Sequence, residues 1–219
     1  MSLNLELARH NMVEQQVRTW DVLSARVLAV LGEVRREDFV APAHRSLAFA
    51  DLALPLAQGE FMMKPVIEGR VLQALDLKAT DNVLEIGTGS GFLTACMARL
   101  AASVTSVEQH ADIAGAARAR LSTAGIANAD IVVSEAVHGF DPKREFDAVV
   151  ITGAVFAVPE KFRRWLKPGG RLFVVEGESP AQRARLVTRT GDSRYTNEGL
   201  FETDLPYLTN AAPPHSFSL

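Results

Sequence analysis

From Leu5 to about Val34, apolar residues recur at helical spacing, with Leu5, Ala8 and Met12 on one run and Leu23, Val27, Val30, Leu31 and Val34 on another. Asp21, between the runs, is placed to cap the second helix. Pro42 and Pro55 then break the chain around Ala48-Phe49-Ala50-Asp51-Leu52, which reads as loop or short strand. Beyond Pro65, the positions Ile67, Val71 and Leu75 return to a period near four. A helix is expected to begin at that proline, because a first turn does not need its missing N–H.

After Lys78 the pattern changes to short apolar runs that alternate with segments of helical length. The runs are Val83-Leu84-Glu85-Ile86, Val104-Thr105-Ser106-Val107, Ile131-Val132-Val133, Ala148-Val149-Val150-Ile151 and Leu172-Phe173-Val174-Val175. They are rich in β-branched residues and bounded by Asp, Gly, Asn or Pro, as strands are. Residues 92–101, 111–124 and 158–166 are long enough to be crossover helices, so the strands should be mostly parallel and covered on both faces. The spacing predicts an α/β fold, a doubly wound and mostly parallel sheet. That core should occupy residues 78–219, with late strands at 185–190 and 200–208 added antiparallel. Residues 1–77 are expected to form a helical cap packed on it as one compact unit. The last nine residues, with Pro213-Pro214, are expected to fray.

Composition narrows the function. A chain of 219 residues is long enough to bury roughly 70% of its unfolded surface. Apolar residues make up 47% and charged residues 22%, which excludes disorder and collagen-like repeats. The net charge of −3 offers no basic field for a phosphate backbone, so nucleic acid is not an expected partner. Cys96 stands alone, which removes an intrachain disulfide or a multi-cysteine zinc site. His10, His44, His110, His138 and His215 are scattered, and no pair sits four apart on a helical face, so no metal is expected. Met1-Ser2-Leu3-Asn4-Leu5-Glu6 lacks a secretory signal's basic start and apolar stretch, and no uncharged apolar span reaches membrane length. These features together read as a soluble, cytoplasmic protein without a membrane partner.

The chemistry concentrates at Gly87-Thr88-Gly89-Ser90-Gly91, which follows the first predicted strand and opens a helix. That is the carboxyl edge where open α/β sheets bind ligands. A dinucleotide fingerprint needs a third glycine at position 92, and Phe92 stands there; a pyrophosphate binder is disfavoured. The Gly-x-x-x-x-Gly-Lys phosphate loop is absent, and so is the Gly-x-Ser-x-Gly nucleophile elbow. Glu108 comes 21 residues after Gly87, directly after the second strand, where an acid can accept two hydrogen bonds from a ribose diol. Glu135 follows the third strand, and a contact with adenine and a solvated loop acid are both open readings for it.

These residues carry a resemblance. The glycine loop with Val83-Leu84-Glu85-Ile86 before it, Glu108, Phe146-Asp147-Ala148-Val149-Val150 and Leu166-Lys167-Pro168-Gly169-Gly170-Arg171-Leu172 resemble the ordered motifs of class I S-adenosylmethionine-dependent methyltransferases. More narrowly, Met12-Val13-Glu14-Gln15-Gln16, Val34-Arg35-Arg36-Glu37-Asp38-Phe39-Val40, Leu54-Pro55-Leu56-Ala57-Gln58-Gly59 and Leu205-Pro206-Tyr207-Leu208 are similar to the protein-L-isoaspartate O-methyltransferase family. The likeness runs from about residue 12 to 208. It implies a Rossmann-like methyltransferase core, a role in protein repair, S-adenosylmethionine as cofactor and S-adenosylhomocysteine as product. By the same resemblance, Glu85, Gly87, Thr88, Gly89 and Gly91 hold the methionine part. Glu108 with Gln109 holds the ribose, and Glu135 with Ala136 the adenine end. The implied partner is a protein or peptide carrying an isoaspartyl or another carboxylate.

One departure matters. After Gln58-Gly59 the family carries Gln-Thr-Ile-Ser, one residue and Pro, whereas this chain has Glu60-Phe61-Met62-Met63, Lys64 and Pro65; the family's active-site serine position is Met63. A carboxylate acceptor is already ionised at pH 7 and needs no general base, its free pKa being about 4. It does need polar partners for its idle oxygen, at a cost on the order of 1–3 kcal/mol when they are missing. Phe61 and Met63 provide none. Thr152 could compensate, although an ordinary strand-end threonine is the simpler reading. Two alternatives stand beside a weakened methyl transfer to the isoaspartyl carboxylate: a recognition module that binds cofactor without turnover, and a methyltransferase for another acceptor. A nicotinamide oxidoreductase rests on fold analogy alone and is opposed by Phe92. Met62 and Met63 otherwise read as core filler, and Cys96 as a small buried hydrophobe. Lys161, Arg163, Arg164 and Lys167 read as a solvated helix face, and His138 as a loop residue without a chemical role.

Overall fold

A computed structural model describes residues 4–214, so the readings of residues 1–3 and of residues 215–219, His215 included, lie outside it. The chain opens with α1 (Leu5–Asn11), whose first turn is capped by the Asn4 side chain accepting from the Leu7 N–H at 3.1 Å. The helical path runs on through a π-helical turn, Met12–Val17, and ends at Asp21, which is left-handed with φ 58°. Asp21 therefore closes the first helical stretch instead of capping the next. The residue at the start of α2 (Ala25–Glu33) is Ser24, and Leu23 lies outside that helix, 71% exposed. The link is held from far along the chain. Gln73 accepts from the N–H groups of Leu23 and Ser24 at 2.6 and 3.0 Å and donates to the Asp21 carbonyl at 2.6 Å.

Residues 48–52 form turns with no strand. A small antiparallel pair follows, β1 (Leu54–Pro55) with β2 (Phe61–Met62), and then α3 (Pro65–Leu75), which begins at the expected proline. A Cβ on Gly69 of this helix would lie 2.6 Å from Val17 Cγ1, so the absent side chain lets the amino-terminal helices close on α3.

The sheet contains β3 (Asn82–Ile86), β4 (Ser103–Glu108), β5 (Ala129–Val133), β6 (Phe146–Val155), β7 (Leu166–Glu176), β8 (Gln182–Arg189) and β9 (Tyr195–Thr203). Their order is β5-β4-β3-β6-β7-β8-β9. The first five strands in this order are parallel, and β8 and β9 are antiparallel additions. Between them run α4 (Phe92–Leu100), α5 (Ala111–Thr123) and α6 (Glu160–Arg164). Strand order reverses between β3 and β6, which opens a crevice beyond their carboxyl ends. The period-2 alternation of β3 sends Val83 into one core with Met12, Leu31, Leu72 and Phe92, and Leu84 and Ile86 into another with Val149, Phe162 and Trp165.

Three expectations need correction. The helix expected over 158–166 shrinks to α6, because Pro159 precedes it and Leu166 already pairs with Phe146 in the sheet. The last strand spans Tyr195–Thr203 and not 200–208. Residues beyond it leave the sheet edge and return to the carboxyl end of β6, where Ala154 N–H donates to the Pro206 carbonyl and Leu208 N–H to the Ala154 carbonyl, both at 2.8 Å. The expected fraying does not begin at residue 211, whose carbonyl accepts from Phe156 N–H at 2.7 Å.

Candidate active site

The glycine loop turns sharply off the end of β3. Gly87, Gly89 and Gly91 have φ of 93°, 53° and 86°, a region that side chains with a Cβ avoid. Gly87 N–H donates to the Val107 carbonyl at 2.8 Å, and the Thr88 and Ser106 hydroxyls meet at 2.6 Å. Thr152, inside β6, donates its hydroxyl to the carbonyls of Ile86 and Gly87 at 2.9 and 2.8 Å. Its proton is engaged with the loop, which leaves none for an acceptor.

Beneath the loop lies Glu85, fully buried. Its Oε2 accepts from Thr94 Oγ1 at 2.5 Å and Ser106 Oγ at 2.6 Å, while its Oε1 has no hydrogen-bond partner. Burial pushes this carboxyl up to about 8 against those two bonds, and the nearby Glu108 and Glu68 charges add to the rise. Glu108, at the end of β4, is buried and bridges two main-chain groups: Oε2 accepts from Gly89 N–H at 3.0 Å and Oε1 from His110 N–H at 3.1 Å. Gln109 donates towards Glu60 Oε1 at 3.4 Å and lies 3.0 Å from His110 Nε2.

Glu135 turns its carboxylate into its own loop, accepting from Val137, His138 and Gly139 N–H at 2.6, 2.7 and 3.2 Å. Burial raises its pKa, and these three bonds outweigh the burial and hold it below the usual carboxylate range. Lys161 secures the same loop by donating to the Ala136 carbonyl at 2.6 Å; it is not part of a solvated face, and its own pKa is lowered by burial.

Glu60, Phe61, Met62 and Met63 form the opposite wall. The Leu54–Met62 and Pro55–Phe61 pairs of β1 and β2 fix its register, and Gln58, left-handed at φ 59°, reaches Asp112 Oδ2 at 2.8 Å. Phe61 is half exposed, Met62 is buried and Met63 partly buried. Pro206, Tyr207 and Leu208 close one side, held by the Tyr207 hydroxyl, which donates to the Gly177 carbonyl at 2.8 Å and accepts from Ser179 N–H at 2.9 Å. These walls border a cleft that opens to solvent at the carboxyl ends of the strands.

The residues singled out from the sequence, Glu60 through Met63, Glu85, Gly87, Thr88, Gly89, Glu108, Gln109, Glu135 and Ala136, all line this cleft; Gly91 stands behind it at the start of α4. Glu68 lines it too, and sequence reasoning missed it, although a charged residue between Ile67 and Val71 on an apolar helix was a visible signal. It is buried against Arg36, and burial pushes it up to about 7 while the guanidinium holds it down. Cys96 is buried, which raises its thiol pKa well above the ordinary value. Among the described residues, no three His, Cys, Asp or Glu side chains are grouped to hold a metal ion, and no helix is long and apolar enough to cross a membrane.

Comparison with known proteins gives this cleft a context. The family model for protein-L-isoaspartate(D-aspartate) O-methyltransferase matches residues 8–207. Protein-L-isoaspartate O-methyltransferases of Rhodopseudomonas palustris and Methanoculleus marisnigri are 37% and 38% identical over 190 and 184 residues. The aligned parts cover 86% and 84% of this chain, and 87% and 84% of those proteins. A solved protein-L-isoaspartate O-methyltransferase superposes with a TM-score of 0.77 at 25% identity, over 91% of this chain and 65% of that one. The enzyme from Plasmodium falciparum, solved with S-adenosyl-L-homocysteine, shares the fold with a TM-score of 0.78 at 18% identity, over 91% of this chain and 97% of that one. The chain belongs to the protein-L-isoaspartate(D-aspartate) O-methyltransferase family.

Proposed function

We propose that this protein transfers a methyl group from S-adenosylmethionine to a carboxylate of a protein or peptide, the isoaspartyl reaction of its relatives, through an acceptor wall that has lost its hydroxyls. The observation that carries the reading is the closure of the glycine loop onto Glu108, with the unpartnered Glu85 oxygen buried beneath it. A sulfonium nucleoside fits these groups. The left-handed glycines leave main chain bare for close approach, the orphan Glu85 Oε1 matches an ammonium once the carboxyl has given up its proton, and the Glu108 carboxylate matches a ribose diol.

In this reading Glu85, Gly87, Thr88, Gly89 and Gly91 hold the methionine end. Glu108 and Gln109 hold the sugar, and Glu135 and Ala136 border the base. Because Glu135 is engaged with its own main chain, its part is to shape the loop that carries Ala136. When bound, the cofactor supplies an activated methyl group on a sulfonium. The protein's remaining task is alignment, since the acceptor carboxylate is ionised at neutral pH. Phe61 and Met63 give the idle carboxylate oxygen no donor. A shortfall of about 1–3 kcal/mol follows, which is roughly ten- to a hundredfold in rate or affinity.

Incubation of the pure protein with methyl-labelled cofactor and an isoaspartyl peptide tests the reading. A base-labile methyl ester on that peptide, and none on the aspartyl peptide, is the expected result. No label on the peptide, with S-adenosylhomocysteine bound, would overturn the acceptor assignment; no binding would overturn the whole reading.

A further inference from the structure

The acceptor wall and the donor loop share no strand, yet one buried side chain touches the last residue of the wall and the residue that follows the loop. Arg36 sits in a tight turn, Arg36–Asp38, and is fully buried. Its Nε donates to the Ala48 carbonyl at 2.9 Å, its Nη2 to the Met63 carbonyl at 2.7 Å, and its Nη1 to Glu68 Oε2. The guanidinium also lies 4.8 Å from the centre of the Phe92 ring. Phe92 is the first residue of α4, directly after the glycine loop, and its other ring contact is Phe39 at 5.7 Å.

A buried guanidinium persists only when its charge and its N–H groups are met. Glu68 meets the charge, and two main-chain oxygens meet the remaining directions. Because the guanidinium is planar and rigid, the three oxygens are held at fixed mutual angles, which a flexible ammonium does not impose. One of those oxygens belongs to Met63, the last residue of the acceptor wall. We propose that Arg36 is a positioning residue for methyl transfer: by gripping the Met63 carbonyl while stacked on Phe92, it sets the distance between the acceptor and donor ends of the cleft, with Glu68 as its counter-ion.

This inference rests on the methyltransferase reading above for its consequence in rate. In-line displacement is sensitive to alignment, and a shift of about 1 Å can cost about a hundredfold. A role confined to stability would lower the melting temperature and leave the turnover of folded protein, and the motion of the acceptor wall, unchanged.

The test uses full-length Arg36→Lys and Glu68→Gln, with three readouts: S-adenosylhomocysteine affinity by calorimetry, kcat and KM on the isoaspartyl peptide, and amide hydrogen exchange. Arg36→Lys keeps the charge and loses the fork. Its kcat should fall about tenfold or more, and exchange across residues 56–63 should rise by a similar factor. Exchange across residues 87–91 and the affinity should stay within about threefold, the limit set by an unaltered donor site. Glu68→Gln still offers an oxygen to Nη1 but leaves the buried charge unmet, so it should lose kcat and raise exchange at 56–63 as well, and it reads the proposal by a second route if Arg36→Lys does not fold. Wild-type exchange at 56–63 in the variants, or a cofactor affinity that falls as far as kcat, would overturn the positioning role. If the wild-type protein esterifies no peptide, the functional reading fails, and the exchange measurement still decides whether Arg36 holds the wall.

Discussion

The Thr152 hydroxyl lies 2.8 Å from the Gly87 carbonyl oxygen, and a Cβ added to Gly87 would come within 2.2 Å of that same hydroxyl. The contact joins the loop after β3 to the interior of β6, where strand order reverses. Gly87→Ala would both strain a left-handed backbone and displace Thr152. A loss on the order of 1–3 kcal/mol of stability is expected from the strain alone, with loss of nucleoside binding besides. Thermal melts and calorimetry with S-adenosylhomocysteine check it; an alanine variant that binds as tightly as the wild type would show that the loop does not need this approach.

Glu108 bonds two main-chain groups, one in the glycine loop and one ahead of α5. Glu108→Ala removes both and, in the proposed function, the sugar's acceptor as well. Affinity for S-adenosylhomocysteine should fall about ten- to a hundredfold, since charged hydrogen bonds contribute about 1.5–3 kcal/mol each. The discriminating control is S-adenosylhomocysteine lacking the ribose hydroxyls, whose weaker binding should be lowered less by the substitution than that of the parent nucleoside, because only the loop contacts are then lost.

The Glu85 carboxyl sits at about 8 when folded, against an ordinary value of 4.5. Between those values the folded chain holds a proton that the unfolded chain has released, so this group's stabilisation is present in full below pH 4.5 and lost as pH rises through 8. Glu68, raised by burial to about 7, acts in the same direction. Urea midpoints should therefore decline from pH 5 to pH 8 through these groups, and Glu85→Gln, which keeps a carbonyl for Thr94 and Ser106, should flatten part of the decline. An unchanged slope in that variant would show that Glu85 is not the group responsible.

Restoring hydroxyls to the acceptor wall should raise isoaspartyl turnover. Met63→Ser, alone or with Phe61→Thr, is expected to increase kcat/KM on the isoaspartyl peptide about ten- to a hundredfold, the converse of the missing-partner penalty. Equal rates for all three proteins would mean that the hydroxyls are not what limits them.

The sequence displayed the sheet well because residues 148–151 of β6 and 172–175 of β7 are buried throughout and read as unbroken apolar runs. It displayed the glycine loop because only glycine tolerates those three dihedrals. It hid what depends on distant partners. Asp21 looked like a cap, but it ends the first helical stretch, and the link to α2 is held by Gln73, about fifty positions away. Lys161 looked like part of a charged surface until its contact with Ala136 placed it under a loop. Glu68 and Arg36 carry charges that composition assigns to the exterior, and only their meeting in the folded chain allows both to be buried. The end of the last strand was misplaced because residues 204–208 keep an extended, apolar character while pairing with Ala154.

The cleft takes one wall from residues near position 60 and another from residues near position 207, with the parallel strands between them. A small molecule lodged there would fasten the β1–β2 segment to residues 206–208, so its occupancy and the integrity of the chain between them become a single equilibrium. At a concentration one hundred times its dissociation constant, the gain would be about 2.7 kcal/mol shared by every part of the molecule. Probes placed in the helices and in β9 would then report the same upward shift in melting.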